Sequence, residues 1–226
     1  MLGVGTTGPL ADGAAGVVGP APAAQAALGA PPVAGIVTTA EREAWAVLAA
    51  IDGLGPVGFA ALLARHGSAL KILAEAARPG AADRLAGTEG VERDDRRWVR
   101  FPIDPGLAVA IVDGVQRGPV VLGRLRETGV AVVTLEEPTF PACLAHISFP
   151  PHVLFLTGAV EALSRPRAVA VVGTRRATMS GRTTAARIAR ALVTADATVI
   201  SGLAYGIDGA AHEATVRAGG HTVAVI

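Results

Sequence analysis

Two loops in the last third of the chain combine residue types that bind anions, and the first of them follows the apolar segment 168–172. Gly173 lets the backbone approach a ligand closely, and Thr174 offers a hydroxyl group. Arg175 and Arg176 carry guanidinium forks that fit phosphate oxygens. Because ligands of open α/β sheets bind beyond the carboxyl ends of the strands, this run is the first candidate binding site.

The second loop begins at Ser201 and Gly202, directly after the apolar segment 198–200, and runs to Asp208. Its small residues precede a predicted helix, so its main-chain N–H groups are expected to cradle an anion. Neither loop matches a nucleotide-cofactor motif. The dinucleotide fingerprint requires a glycine where Arg175 stands, and the chain has no Gly-Lys-Ser/Thr of a P-loop. The cation Arg175 at that position indicates that the ligand is an extended polyanion.

Other polar residues near these loops give weaker signals. Asp208 and His212 lie four residues apart on one predicted helix, but two residues do not make a metal site. We expect Asp208 to brace the glycine loop and His212 to pack beneath it. Two alternatives stay open for Tyr205, which either stacks on a base or covers the core. Cys143 has no evident base partner, so we treat it as an ordinary small apolar residue. The sequence predicts no metal site, no cofactor and no catalytic residue.

Charge is unevenly distributed along the 226 residues, whose formal net charge is +1. Residues 160–226 hold eight Arg and four Asp or Glu, whereas residues 1–159 hold twelve Lys or Arg and fifteen Asp or Glu. The C-terminal part is therefore basic, which suits a polyanionic partner. Arg187 and Arg190 are expected on the solvent face of a helix, away from a ligand. The single cysteine excludes an intramolecular disulfide and a cysteine-built zinc site.

The elements that position the two loops follow a strand–helix alternation. Apolar strands are predicted at 130–135, 153–156, 168–172, 198–200 and 222–226, with helices at 120–127, 181–194 and 207–218. The last three strands are apolar on both faces, which predicts a parallel sheet covered by helices. The fold class is α/β, a Rossmann-like doubly wound parallel sheet of which only the first half is expected here.

The N-terminal part has a different composition. Residues 1–37 are rich in Ala, Gly and Pro and are expected to form a disordered leader, neither a signal peptide nor a membrane span. Thr38 and Glu41 have the spacing of a capping box and predict the start of a helix. Residues 78–105 are predicted to be a polar, solvated connector. We therefore expect a small helical domain with its connector over 38–105.

A glycine turn lies between two predicted helices of this domain. Gly53, Leu54 and Gly55 are followed by Pro56, which suits the first turn of a helix. The pattern is typical of a helix-hairpin-helix or SAM-like domain. Two roles stay open for it: the N–H groups of the turn hold a phosphate, or the hairpin only builds a small helical core. The remaining residues, 106–226, are predicted to form the Rossmann-like domain, which carries the two candidate binding loops.

These stretches resemble the DNA-processing protein A family, DprA/Smf. The resemblance rests on the strings VGTRR at 172–176, SGLAYGID at 201–208 and GGHTVAV at 219–225, with further similarity around Pro150 to Gly158 and around the glycine turn. It implies a cytoplasmic single-stranded DNA-binding protein of natural transformation, active as a homodimer, that helps to load a RecA-type recombinase. The sheet of that family continues past residue 226, so the resemblance implies a C-terminally truncated chain.

The resemblance also implies a set of site residues. The residues expected to contact DNA phosphates, or to lie beside those that do, are Gly173, Thr174, Arg175, Arg176, Ser201 and Gly202. The alternative function is a Rossmann-like hydrolase or transferase that binds a nucleotide phosphate, in which Asp208 would need a catalytic role. The sequence offers no convincing acid/base pair for that alternative, so we expect a non-enzymatic protein without a membrane segment.

Overall fold

The computed structural model describes residues 37–92 and 98–226, so the predicted leader lies outside it apart from residue 37. The helices are α1 (Thr39–Ala49), α2 (Pro56–His66), α3 (Ala69–Ala76), α4 (Ala81–Leu85), α5 (Pro105–Gln116), α6 (Gly118–Thr128), α7 (Ala142–Ala145), α8 (Met179–Thr194) and α9 (Ile207–Arg217), with a 3-10 turn at Val160–Ser164. The strands are β1 (Gly87–Glu92), β2 (Trp98–Ile103), β3 (Ala131–Thr134), β4 (Val153–Leu156), β5 (Ala168–Ala170), β6 (Thr198–Ser201) and β7 (Thr222–Ala224).

Helix α1 begins at the predicted cap. The Thr38 hydroxyl accepts a hydrogen bond from the Glu41 N–H at 3.2 Å, which confirms the predicted helix start. The carboxylate of Glu41 has a different partner from the one that a capping box implies. It accepts hydrogen bonds from Ala69 N at 2.6 Å and Leu70 N at 3.3 Å, and from Trp45 Nε1 at 3.1 Å. Glu41 therefore caps the start of α3 and fixes α3 against α1.

The predicted helical hairpin is present. Gly53 has a φ of +84° in the turn after α1, and α2 begins at Pro56 with Gly55 as its N-cap. The buried side chains of this part form one hydrophobic cluster, whose largest fully buried members are Leu48, Leu62, Ile72, Leu85, Ile103 and Ile111. The helical half of the expected fold thus has a core of its own.

The prediction of a solvated connector over 78–105 was wrong. Strands β1 and β2 form an antiparallel hairpin in which Gly87 pairs with Ile103. Leu85 and Ile103 are fully buried in the helical core, so apolar residues on both sides of the hairpin anchor it there. The charged run begins at Glu92, the last residue of β1, and its residues 93–97 lie outside the described residues. The interpretation of this run as solvated was extended to the whole segment, which contains the two strands.

Helices α5 and α6 and the antiparallel pair β3–β4 follow this hairpin. Helix α6 ends at Gly129 with a φ of +64°, which agrees with the helix predicted at 120–127. Ala108 on α5 and Val153 on β4 belong to the same hydrophobic cluster as the first helices. The division between residues 105 and 106 stays a prediction, and packing joins residues on both sides of it in one cluster.

The last three strands form a separate parallel sheet in the order β5-β6-β7. Val169 pairs with Val199, and Ile200 pairs with Val223. Helices α8 and α9 are the crossovers of this βαβαβ unit, and both contact β6 and each other. Their second core contains Val171, Val199 and three alanines. A half-sheet of the Rossmann type is therefore confirmed.

Burial of the strands on both faces was predicted for β5, β6 and β7, and this was wrong for β5 and β7. All three residues of β5 are exposed and none of β7 is buried, whereas three of the four residues of β6 are buried. The reason is topological, because β6 lies between two strands while β5 and β7 lie at the edges of the sheet. An apolar strand sequence indicates where a strand can be buried, and its neighbours decide whether it is.

Within the described residues, no single helix is both long and apolar enough to cross a membrane. Two pairs of helices reach that length and composition only together, and each pair is bent. They are Pro56–His66 with Ala69–Ala76, bent by 87°, and Pro105–Gln116 with Gly118–Thr128, bent by 57°.

His152 is part of an aromatic cluster that joins the helical hairpin to the β3–β4 pair. Its ring stacks on Phe59 with a centroid distance of 4.6 Å and an interplanar angle of 17°, and Trp45 lies 5.7 Å away. Burial among these rings disfavours the charged imidazolium and lowers the pKa of His152 to about 4. The folded chain therefore keeps this histidine neutral.

The neutral His152 makes the stability of the fold depend on pH. An unfolded histidine with a pKa near 6.5 takes up a proton before the folded one does, so the stabilising contribution is complete above pH 6.5 and is lost as the pH falls towards 4. Between pH 7 and pH 5 the loss is on the order of 2 kcal/mol. Urea unfolding at pH 7 and pH 5 measures this loss of stability in the unmodified chain. The variant His152→Phe should lack it, because phenylalanine takes up no proton. His221→Gln, at an exposed position, is the matched control, and an equal pH dependence in all three proteins would contradict the assignment.

Candidate nucleic-acid interface

The first predicted loop lies directly after β5. Gly173, Thr174, Arg175 and Arg176 are all exposed. The Thr174 hydroxyl accepts a hydrogen bond from the Arg176 N–H at 3.1 Å, so it shapes the loop from within. Both arginine side chains remain on the protein surface at the carboxyl end of a strand, where the sequence predicted a ligand site.

Gly206 joins the first loop to the second. It has a φ of +94°, and a Cβ atom at this position would lie 2.2 Å from the Thr174 carbonyl oxygen and 2.7 Å from that of Arg175. The next residue, Ile207, donates its N–H to Thr174 O at 3.3 Å. Only glycine permits both the backbone conformation and the close approach. The two predicted loops are therefore brought together, as the sequence analysis expected.

The carboxylate of Asp208 braces this junction by accepting hydrogen bonds from both loops. Asp208 is 7% exposed, and its Oδ1 accepts a hydrogen bond from Gly173 N at 3.3 Å while its Oδ2 accepts one from Gly202 N at 3.2 Å. The predicted bracing role is confirmed. It also has a consequence for the predicted anion cradle, because the carboxylate already engages two of the N–H groups that were expected to face a phosphate. Positive charge at the site must then come mainly from side chains.

Two further polar residues are used inside the sheet. Ser201 is buried, and its hydroxyl donates to Val171 O at 2.6 Å, which links β6 to the residue after β5. Thr222 donates to Val199 O at 2.9 Å, so the His212 Nδ1 that lies 2.7 Å from the Thr222 oxygen acts as the donor. His212 thus ties α9 to β7, in the structural role predicted for it.

The arginines of the last part of the chain divide into paired and unpaired groups. Arg165 forms a salt bridge with Asp196, and Arg217 forms one with Glu213 at 2.6 Å. Over residues 173–190, five exposed arginines form no salt bridge within the described part of the chain: Arg175, Arg176, Arg182, Arg187 and Arg190. This unneutralised charge surrounds the two loops and α8, which is the electrostatic pattern of a polyanion-binding surface.

Sequence reasoning missed part of this surface. Arg190 was placed on the solvent face of its helix, but with Arg182 it lines a groove between α8 and α9. Tyr205, left open between two roles, is 87% exposed and also lines the groove, so it does not cover the core. The available signal was the spacing of Arg182, Ala186 and Arg190, which puts a small residue between two cations on one helical face.

The helix-hairpin-helix turn, Gly53 to Gly55, lacks the exposed arginines that surround the two loops. The Leu54 N–H donates to Ile51 O at 3.2 Å, and the Gly55 N–H donates to Gly53 O at 3.1 Å. The charged side chain beside this turn is that of Asp52, which is exposed. Its negative charge would repel a phosphate. Of the two roles left open for this turn, the contacts favour the structural one.

The comparisons with known proteins agree with this geometry. A family model described as DNA recombination-mediator protein A matches residues 131–226, a range that contains both loops and the parallel sheet. The Smf protein of Synechocystis sp. (strain ATCC 27184 / PCC 6803 / Kazusa) is 30% identical over 195 residues, which are 84% of this chain and 45% of that protein. The chain belongs to the DprA/Smf family.

Other DprA/Smf relatives match shorter segments. DprA of Bacillus subtilis (strain 168) is 36% identical over 108 residues, 48% of this chain and 36% of that protein. A putative DprA of Mycobacterium tuberculosis (strain ATCC 25618 / H37Rv) is 57% identical over 61 residues, 27% of this chain and 16% of that protein. The chain therefore spans less than half the length of the curated relatives that it matches.

A solved DprA/Smf structure shows the same fold. The X-ray structure of DNA processing protein A from Streptococcus pneumoniae has a TM-score of 0.55 to this chain at 20% sequence identity. The match covers 82% of this chain and 57% of that one. It confirms the predicted fold class, a Rossmann-like α/β sheet preceded by a helical part.

Replacement of Gly206 by alanine is expected to destabilise the loop junction. Gly219→Ala is the matched control, because Gly219 also has a positive φ, +71°, but a Cβ atom there would meet no other atom within 4 Å. The control should cost about 1 kcal/mol for backbone strain, and Gly206→Ala about 2 kcal/mol more for the clash. Urea unfolding followed by circular dichroism measures both, and equal losses would contradict the close approach.

Replacement of Asp208 by asparagine is expected to release one of its two amide donors. An asparagine has a single carbonyl oxygen, so either Gly173 N or Gly202 N would face an NH₂ group, at a cost of about 1–3 kcal/mol. Hydrogen exchange read at Gly173 and Gly202 should accelerate for at least one of them. Asp52→Asn, in the exposed helical turn, is the control that should leave both rates unchanged, and unaltered exchange in Asp208→Asn would contradict the bracing role.

Proposed function

We propose that this chain binds single-stranded DNA at the loop edge, defined here as residues 173–176 and 201–206. The observation that carries the proposal is the exposure of Arg175 and Arg176, without salt bridges in the described part of the chain, on a loop whose backbone contacts Gly206 and Asp208. Guanidinium groups that have no acidic partner are available to phosphate oxygens, which their planar fork fits. Membership in a family of DNA recombination mediators supports the same ligand.

The chemistry of the loop edge favours binding to the backbone of the strand. Guanidinium groups bind phosphates through charge-assisted hydrogen bonds that carry no base information. Counterions released from the strand make such binding weaken as salt increases. We therefore expect affinity that depends strongly on ionic strength and weakly on sequence.

The resemblance to DprA/Smf proteins extends the proposal to partners. We infer that the complete protein acts in the cytoplasm during natural transformation, forms a homodimer, and helps to load a RecA-type recombinase on the bound strand. The description of the matching family as a recombination mediator supports this role. The proposed role requires no cofactor and no catalytic step by this chain.

The alternative, an enzyme that acts on a nucleotide phosphate, has less support. It would need Asp208 as an acid or base, yet both oxygens of that buried carboxylate accept hydrogen bonds from backbone N–H groups. Among the residues that the structure describes, no group of three or more His, Cys, Asp or Glu side chains is arranged to hold a metal ion. A thermal-shift comparison separates the two functions, because stabilisation by mononucleotides alone would favour the enzyme.

Replacement of Arg175 by alanine tests the proposed function. The loss of one charge-assisted contact should weaken binding to a fluorescent oligothymidylate by about tenfold and reduce the salt slope by about 0.7. Fluorescence anisotropy at about 50 mM and about 200 mM salt measures both quantities. Arg124→Ala, which removes an exposed charge from α6, is the matched control. Equal affinity of the two variants, or binding that salt does not weaken, would refute the proposal.

A further inference from the structure

A groove with a volume of about 800 Å³ lies between α8 and α9. Arg182 and Arg190 line it from α8, and Arg217 lines it from α9. Its other walls include several alanine and glycine residues, whose small side chains leave the space between the helices open. We call this feature the α8–α9 groove. Its volume is in the range of roughly 300–1,000 Å³ that small-ligand sites occupy.

We propose that the α8–α9 groove is a second nucleic-acid subsite, which holds a nucleotide of the single strand that continues beyond the loop edge. This inference rests on the proposed function, because it assigns a further part of the same strand to the surface between α8 and α9, which adjoins the second predicted loop. Three independent features support it: continuity with the loop edge, unpaired positive charge, and an exposed aromatic ring at the mouth.

Continuity follows from the position of the second loop. Leu203, Tyr205 and Gly206 line the groove, and Gly206 also approaches the backbone of Thr174 and Arg175 so closely that a Cβ atom would clash there. The groove and the loop edge therefore share one loop.

The charges of the groove suit two phosphates of one strand that are not adjacent. Arg182 and Arg190 are exposed and form no salt bridge within the described residues, so both are available to an anion. They are eight residues apart on one helix, which corresponds to about 12 Å along its axis. Arg217 is neutralised by Glu213, so the unpaired charge lies on the α8 wall. A phosphodiester backbone that follows α8 meets both cations.

The mouth of the groove carries apolar surface that has no partner in the described structure. Tyr205 is 87% exposed, Met179 is 76% exposed and Leu203 is 58% exposed. Leu203 also has a φ of +55°, which an ordinary residue adopts only at a cost. An exposed ring beside phosphate-binding cations is the arrangement with which single-strand binders stack bases. The base of the nucleotide in the groove is therefore expected to lie against Tyr205.

The charge of the groove is tested with the double variant Arg182→Ala/Arg190→Ala of the full chain. Oligothymidylates of about 4 to about 20 nucleotides are compared by fluorescence anisotropy. The unmodified chain should gain affinity with length, and the double variant should lose most of that gain and about 1.4 of the salt slope. The shortest oligonucleotide, which the loop edge alone can hold, should bind both proteins alike. Arg187→Ala, on α8 but outside the groove lining, is the control.

The stacking role of Tyr205 is tested separately. Tyr205→Phe keeps the aromatic face and should bind as the unmodified chain does, whereas Tyr205→Ala should weaken binding of the longer oligonucleotides several-fold. Photocrosslinking with an oligonucleotide that contains 5-iododeoxyuridine, followed by mass spectrometry, should locate adducts at Tyr205. Crosslinks confined to other residues would overturn the stacking assignment.

The outcomes distinguish the groove from the proposed function. If the unmodified chain binds no single-stranded DNA, the proposed function fails and the groove inference fails with it. If Arg175→Ala weakens binding while the double groove variant matches Arg187→Ala at every length, the proposed function stands and the groove inference is overturned. Circular dichroism of each variant checks the fold, since none of these exposed side chains is part of a core.

Discussion

The buried carboxylate of Asp208 is the interaction on which the candidate interface depends. It accepts hydrogen bonds from Gly173 and Gly202, which lie in the loops that follow two adjacent strands. Gly206, in the second loop, also packs closely against the backbone of Thr174 and Arg175 in the first loop. A negative charge beneath the loop edge also changes how an anion can bind there. Because these two backbone donors bind the carboxylate, the proposed recognition of phosphates would depend on the guanidinium groups around it.

The sequence predicted the elements of this site well, because each is fixed by local chemistry. Parallel strands, their order along the chain and the crossover helices follow from apolar periodicity and from glycines at their ends. The bracing role of Asp208 was predicted from its position at the end of the glycine loop. The resemblance to DprA/Smf proteins rests on the same loop residues, so the fold and the family were predicted together.

What the sequence could not predict depends on contacts between distant residues. Glu41 has the spacing of a capping box, yet its carboxylate caps a different helix, whose first N–H groups lie 28 and 29 residues away. The polar segment before α5 became a hairpin because Leu85 and Ile103 reach the helical core. Arg190 lines a groove only because α9 packs beside α8. In each case, a local pattern gave the residue a preference, and tertiary packing decided its partner.

The distribution of charge gives these contacts their functional meaning. Net charge is nearly zero over the whole chain, so long-range attraction to a polyanion cannot come from the total. It comes from arginines that lack an acidic neighbour on α8 and at the loop edge, while acidic residues elsewhere engage helix termini or other arginines. Within a Debye length of about 10 Å, a strand senses this local surplus rather than the sum. The proposed polyanion would therefore meet the positive charge on one surface of an almost neutral protein.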